Sequence, residues 1–213
     1  MAERIIDLAG WPRAETFRHF RGYQKPQYAI TSRIDVTRLV TELKPAGVSP
    51  YRACIHAIGS GIHAVPELRT RFRGDVVVEH DTIALSMTVP RADGTFVYAY
   101  VPFAADWRDF DPLCAATMAE TVAKGGLGAN EGHRDDVAYL SCLPWLDFTG
   151  LTNAMPGPED CIPRFSWGRF TEDKNGRLSV AMTVEVHHAL VDGAHLGRYF
   201  AETQQALDAI DAG

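Results

Sequence analysis

Residues 178–197 read LSVAMTVEVHHALVDGAHLG, and this stretch decides the fold class. Leu178, Val180, Met182, Val184 and Val186 at the even positions are apolar, while Ser179, Thr183, Glu185 and His187 make the odd positions the more polar series. Alternation of period two marks a strand, because successive side chains leave it on opposite faces. His188 continues the even series, so the spacing predicts a desolvated imidazole on the apolar side, with His187 on the side of Glu185. Beyond Ala189-Leu190-Val191-Asp192-Gly193 the period changes, and Leu196, Tyr199, Phe200, Leu207 and Ile210 recur at helical spacing. A long strand therefore passes through a short turn into a C-terminal helix, with a histidine at the strand's mouth.

Working outward, Asp173-Lys174-Asn175-Gly176 turns this strand back onto a candidate strand at 165–170, and 137–142 supplies another. Segments 68–72 and 76–78 flank Arg73-Gly74-Asp75, and 83–89 and 96–101 flank Arg91-Ala92-Asp93-Gly94, two hairpin patterns with turn residues between. Tyr28, Ile30, Ile34 and Val36 read as one strand face. Ser49 and Pro50 cap and open a helix whose stripe is Cys54, Ile55, Ile58, Ile62 and Val65. Asp111-Pro112 opens another toward Lys124. Hairpins interspersed with helices, without regular βα alternation, predict an α+β fold in which a mixed, largely antiparallel sheet is covered by helices. No repeat, low-complexity tract or long linker interrupts the chain, so one domain is expected over 1–213.

Composition narrows the function classes. The chain is 46% hydrophobic and 23% charged, as globular proteins are, and 21 basic against 27 acidic residues leave a net charge of -6. That balance disfavours nucleic acid and anionic membranes and favours a small-molecule partner. No apolar run approaches the roughly 18 residues of a membrane span, and the first residues lack a signal-peptide pattern, so a cytoplasmic protein is expected. Cys54, Cys114, Cys142 and Cys161 form no CxxC pair, which predicts reduced thiols and no zinc site.

A neutral imidazole at a strand's mouth suits general-base work, since its unperturbed pKa lies near 6.5. Two plainer readings stand beside it: a hydrogen-bonded core histidine, and Asp192 as a simple helix cap. A third takes His188, Asp192 and His195 as metal ligands, although their four-residue and three-residue steps match no known metal spacing.

His187-His188-Ala189-Leu190-Val191-Asp192-Gly193-Ala194-His195, followed by Gly197-Arg198, resembles the HHxxxDG signature of the chloramphenicol acetyltransferases. Ile6-Asp7-Leu8 with Trp11 and Arg13, Thr31-Ser32-Arg33-Ile34-Asp35, Pro66-Glu67-Leu68-Arg69 and Leu143-Pro144-Trp145 extend the likeness in order. The shorter HxxxDG element is shared with other CoA-dependent acyltransferases, the dihydrolipoyl type included. The resemblance implies a two-layer α/β sandwich and a homotrimer with active sites between subunits. It also implies antibiotic resistance by direct transfer of acetyl from acetyl-CoA, as co-substrate and without metal, to a hydroxyl of chloramphenicol or a similar small aromatic alcohol.

By the same resemblance His188 is the general base, Ser141 the oxyanion donor, and Ser166 stands where the family has a water-holding threonine. Asp192 pairs with Arg13 and stiffens the site. Trp145, Arg169 and Phe170 match positions lining the CoA path, and Phe20, Gln24, Tyr28 and Phe96 are the acceptor candidates. Family positions usually filled by aromatic or small apolar residues around the antibiotic appear here as His19, Phe20, Gln24 and Pro26, a departure in the pocket's chemistry. That departure keeps open acylation of a different small hydroxylated metabolite. A catalytically silent binding module of the same fold is the remaining alternative.

Overall fold

The computed structural model describes residues 2–130 and 134–211. In chain order come β1 (Glu3–Ile5), α1 (Ala14–Arg21), β2 (Gln27–Asp35), α2 (Pro50–Ala64), β3 (Thr70–Arg73), β4 (Val76–His80), β5 (Ala84–Pro90), β6 (Phe96–Pro102), α3 (Trp107–Lys124), β7 (Val137–Cys142), β8 (Arg164–Glu172), β9 (Leu178–His187) and α4 (Gly193–Asp208). The main sheet has six strands in the order β2-β9-β8-β7-β5-β6, and a small sheet has the order β1-β4-β3. In the main sheet β7 runs parallel to both β5 and β8, and the remaining pairs are antiparallel. The mixed α/β architecture expected from the interspersed hairpins and helices is the one found.

One face of the main sheet is covered by α2 and α4. Leu85, Met87, Leu140, Phe165, Trp167, Met182, Val184 and Val186 point into the core that these helices close. The Phe165 and Tyr199 rings lie 5.2 Å apart, and Tyr51 of α2 meets Trp167 at 5.6 Å. Ser49 caps α2 by accepting from the Arg52 amide at 3.4 Å, and Pro50 takes the first turn, where its missing N–H costs nothing. Ile55, Ile58 and Ile62 are fully buried, each removal from water being worth about 1.5–3 kcal/mol. Gly61 lets α2 approach α4: a Cβ there would lie 2.2 Å from Thr203 Oγ1 and 2.9 Å from the Tyr199 ring.

Two expectations are corrected. The helix expected to open at Asp111-Pro112 starts at Trp107, because Asp106 accepts from the Arg108 amide at 2.8 Å and supplies the cap. Pro112 therefore sits inside α3, in its second turn, at the cost of one backbone bond. The strand expected to run to His188 ends at His187, whose carbonyl accepts from the Leu190 and Val191 amides as the chain turns.

Candidate active site

The turn after β9 decides what each histidine can do. His187 is 2% exposed, its Nδ1 accepts from the Ala189 amide at 3.1 Å, and its Nε2 donates to the Pro158 carbonyl at 3.0 Å. Both ring nitrogens are thus committed, and burial pulls its pKa down to about 4. The desolvated imidazole is His187, and the expectation that it is His188 fails because strand alternation stops one residue short of it. The His188 side chain is 34% exposed.

Aromatic side chains from two elements hold the His188 ring. Phe20 of α1 stacks on it with centroids 3.8 Å apart and planes 8° from parallel, and Tyr28 of β2 lies at 4.6 Å. The His188 amide donates to Pro26 O at 3.0 Å. Nδ1 is buried, 3.3 Å from Asp192 Oδ1 in an orientation that makes no hydrogen bond, and Nε2 is free of hydrogen bonds within the described residues. Tyr28 donates to the Val191 carbonyl at 3.2 Å, and burial, reinforced by the Asp192 charge, pushes its phenol up to about 12.

Asp192 stands at the N-cap position of α4, yet its carboxylate is turned to Arg13. Arg13 Nη1 meets Asp192 Oδ2, Nη2 reaches Oδ1 at 3.1 Å, and Nη2 also lies 3.4 Å from the carbonyls of His188 and Ala189. One planar guanidinium thereby ties the carboxylate to the turn's backbone. The Arg13 hydrogen bonds hold the Asp192 carboxyl below its ordinary range. His195 Nδ1 accepts from the Asp192 amide at 2.9 Å while its Nε2 faces Glu67 at 3.6 Å. His195 therefore does not share a metal geometry with His188, and no group of three or more His, Cys, Asp or Glu side chains among the described residues could hold a metal ion.

Ser141 and Ser166 lie elsewhere. They are register partners on β7 and β8, on the face away from α2 and α4, and Ser166 pairs in turn with Thr183 of β9. Thr183 Oγ1 meets Thr31 Oγ1 at 2.5 Å, which completes a row of four hydroxyls across the sheet. His188 follows Thr183 by five residues along the chain, and Ser141 lies two strands across from it, roughly 16 Å and roughly 10 Å at ordinary strand rise and spacing. Moreover, the His188 ring sits with Tyr28 at the helix-covered side. Within one chain these groups cannot reach the same carbonyl.

The other candidates divide between the two places. Phe20 and Tyr28 surround His188. Phe96, exposed at the start of β6, alternates with the buried Val97 and so shares the open face with Ser141, and Gln24 is exposed in the connection between α1 and β2. Trp145 is 75% exposed on the segment after β7. That segment rests on a bulge in β8, where the Arg169 amide donates to Leu146 O at 2.7 Å. A Cβ on Gly168 would come within 2.5 Å of the same carbonyl, so the close approach requires glycine. Trp145, the exposed Arg169 and the half-buried Phe170 thus share one rim. Sequence reasoning missed Thr31 and Thr183 in the hydroxyl row, although period-two alternation on β2 and β9 places both on the more polar face.

Comparison with known proteins shows the family and the fold. The sequence profile of the family described as chloramphenicol acetyltransferase matches residues 1–204. The chloramphenicol acetyltransferase of Streptomyces acrimycini is 30% identical over 207 residues, covering 95% of this chain and 93% of the relative, and that of Campylobacter coli is 26% identical, covering 95% and 97%. A solved chloramphenicol acetyltransferase superimposes with a TM-score of 0.90 at 26% identity, over 97% of this chain and 100% of the other. The Azotobacter vinelandii dihydrolipoamide acetyltransferase shares the fold at a TM-score of 0.66 and 13% identity, over 92% of this chain and 86% of the other.

Proposed function

The chain belongs to the chloramphenicol acetyltransferase family, and from that premise we propose that it moves acetyl from acetyl-CoA to a hydroxyl of chloramphenicol, conferring resistance to the drug. One observation carries the chemistry: the His188 ring is clamped by Phe20 and Tyr28 while its Nε2 remains uncommitted. A held imidazole with one free lone pair is what a general base requires. Nε2 takes the acceptor's hydroxyl proton as the oxygen bonds to the thioester carbon. The carbonyl electrons move onto its oxygen, where Ser141 donates a hydrogen bond to the developing charge. When the electrons return, the carbon–sulfur bond breaks and the imidazolium hands its proton to the departing thiolate, leaving an acetyl ester and free CoA. Ser166 stands beside Ser141 to position a water or the intermediate, and Arg13 with Asp192 keep the turn rigid.

The separation of His188 from Ser141 supports a site shared between copies, the base of one facing the hydroxyl row of the next, and the family resemblance makes that assembly a homotrimer. A symmetric ring lets one such interface repeat three times. The Trp145, Arg169 and Phe170 rim then receives the CoA moiety, its exposed guanidinium suiting phosphate. Phe20, Tyr28, Phe96 and the exposed Gln24 surround the acceptor. No helix among the described residues is long and apolar enough to cross a membrane. All four cysteines are free thiols, in keeping with a cytoplasmic enzyme, and one continuous buried cluster from Phe17 to Ile210 supports a single domain. The test is thiol release from acetyl-CoA: chloramphenicol should stimulate it strongly, and the absence of any stimulation would overturn the reading.

A further inference from the structure

Beside Ser141 the open sheet face forms a cleft of about 400 Å³, within the range of small-ligand sites. Its floor is polar by register. Ser86 of β5 lies between Tyr100 of β6 and Tyr139 of β7, and Tyr98 joins them on the same face. Ser86 is 1% exposed and its hydroxyl has no hydrogen-bond partner among the described residues. The Tyr100 phenol approaches it at the margin of hydrogen-bonding geometry, which leaves the Ser86 hydroxyl weakly paired at most. A buried hydroxyl without a well-aligned partner is stabilised by a ligand group that pairs with it.

The neighbouring groups have direction. Asn130 Nδ2 donates to Tyr139 Oη at 2.9 Å and to Arg134 O at 2.7 Å, so the Tyr139 proton is left to donate outward and Asn130 Oδ1 is left to accept. Asn153 Nδ2 donates to Glu185 Oε2 at 2.9 Å, which likewise leaves its Oδ1 as an acceptor. Arg164, which also lines the cleft, is ion-paired with Asp160 at 2.6 Å, so the rest of the lining offers neutral donors and acceptors between aromatic rings. An acceptor with a wholly apolar body would leave these groups stranded.

We propose that this cleft selects neutral polyhydroxylated molecules, binding several of their hydroxyls through Ser86, Tyr139, Asn130 and Asn153 while another is presented for acetylation. The acetylation clause rests on the transferase reading above; the binding clause does not. Calorimetry on the intact protein tests it with phenyl β-D-glucoside against 2-phenylethanol, and each ligand is also assayed for thiol release with acetyl-CoA. The glucoside should bind at least about tenfold more tightly. Tyr139→Phe and Ser86→Ala should each weaken the glucoside by about tenfold and leave 2-phenylethanol unchanged. Equal affinities, no glucoside binding, or equal losses for both ligands would overturn the proposal. If the glucoside binds as stated while no alcohol, chloramphenicol included, releases thiol, the transferase reading fails and the cleft stands. If chloramphenicol drives release and the glucoside does not bind, the cleft fails and the transferase stands.

Discussion

Producing two inactive variants in the same cell tests whether the reaction is shared between copies. His188→Ala removes the base, worth about 10²–10⁴ in rate. Ser141→Ala removes the oxyanion donor, worth about 10²–10³. Along β9 and across two strands the groups are separated by roughly 16 Å and roughly 10 Å, several times hydrogen-bond reach. If each site draws its base from one copy and its hydroxyl from the next, random assembly at equal amounts makes each needed partner intact half the time. About one quarter of the sites should then be whole, and activity should recover to about one quarter of wild type. A control mixes wild type with the His188→Ala/Ser141→Ala double variant, for which shared sites again predict about one quarter and self-contained sites about one half. Thiol release with chloramphenicol and acetyl-CoA is the assay. A mixture no more active than its two parents, or a control at one half, would refute the shared site.

Three further outcomes follow from the same geometry. Arg13→Lys keeps a cation but loses the fork that joins Asp192 to the carbonyls of His188 and Ala189, so kcat should fall about tenfold with KM little changed; an unaltered kcat would dismiss the anchoring role. His187 and His63 are both held neutral by burial, each with its pKa pulled down to about 4 from the ordinary 6.5 of histidine. The unfolded chain then binds more protons between those values, so their contribution is whole above pH 6.5 and declines as the pH falls toward 4. Urea midpoints at about pH 7 and about pH 4.5 should differ accordingly, and equal midpoints would contradict the assignment. Gly61→Ala should destabilise by about 1–3 kcal/mol and lower Tm by several degrees, because the new methyl would overlap Thr203 and Tyr199; an unchanged melting curve would show that α4 can yield.

The pattern at 178–197 carries much of this architecture, since alternation on β9 and the helical recurrence through Leu207 are both local signals of buried faces. The hairpins around Gly74 and Gly94 are legible for the same reason, both glycines taking positive φ in the turns. α1 is not legible, because it is eight residues long and buries only Phe17, too short a stripe to declare a period. The contrast between His187 and His188 escapes the sequence because it depends on Pro158 and Ala189, partners that alternation within one strand cannot reveal. Resemblance alone singles out Ser141, and its distance from His188 is a property of sheet order, which no local pattern encodes.

The two adjacent imidazoles should also respond differently to an electrophile that acylates neutral histidine. Such a reagent needs an accessible lone pair, and at His187 the Nδ1 pair is occupied by the Ala189 amide while Nε2 carries the proton given to Pro158. Only His188 offers a nitrogen to attack. Within this pair, ethoxyformylation should mark one ring and spare the other, so that mass mapping of the modified peptide would find a single adduct where the bare sequence offers two.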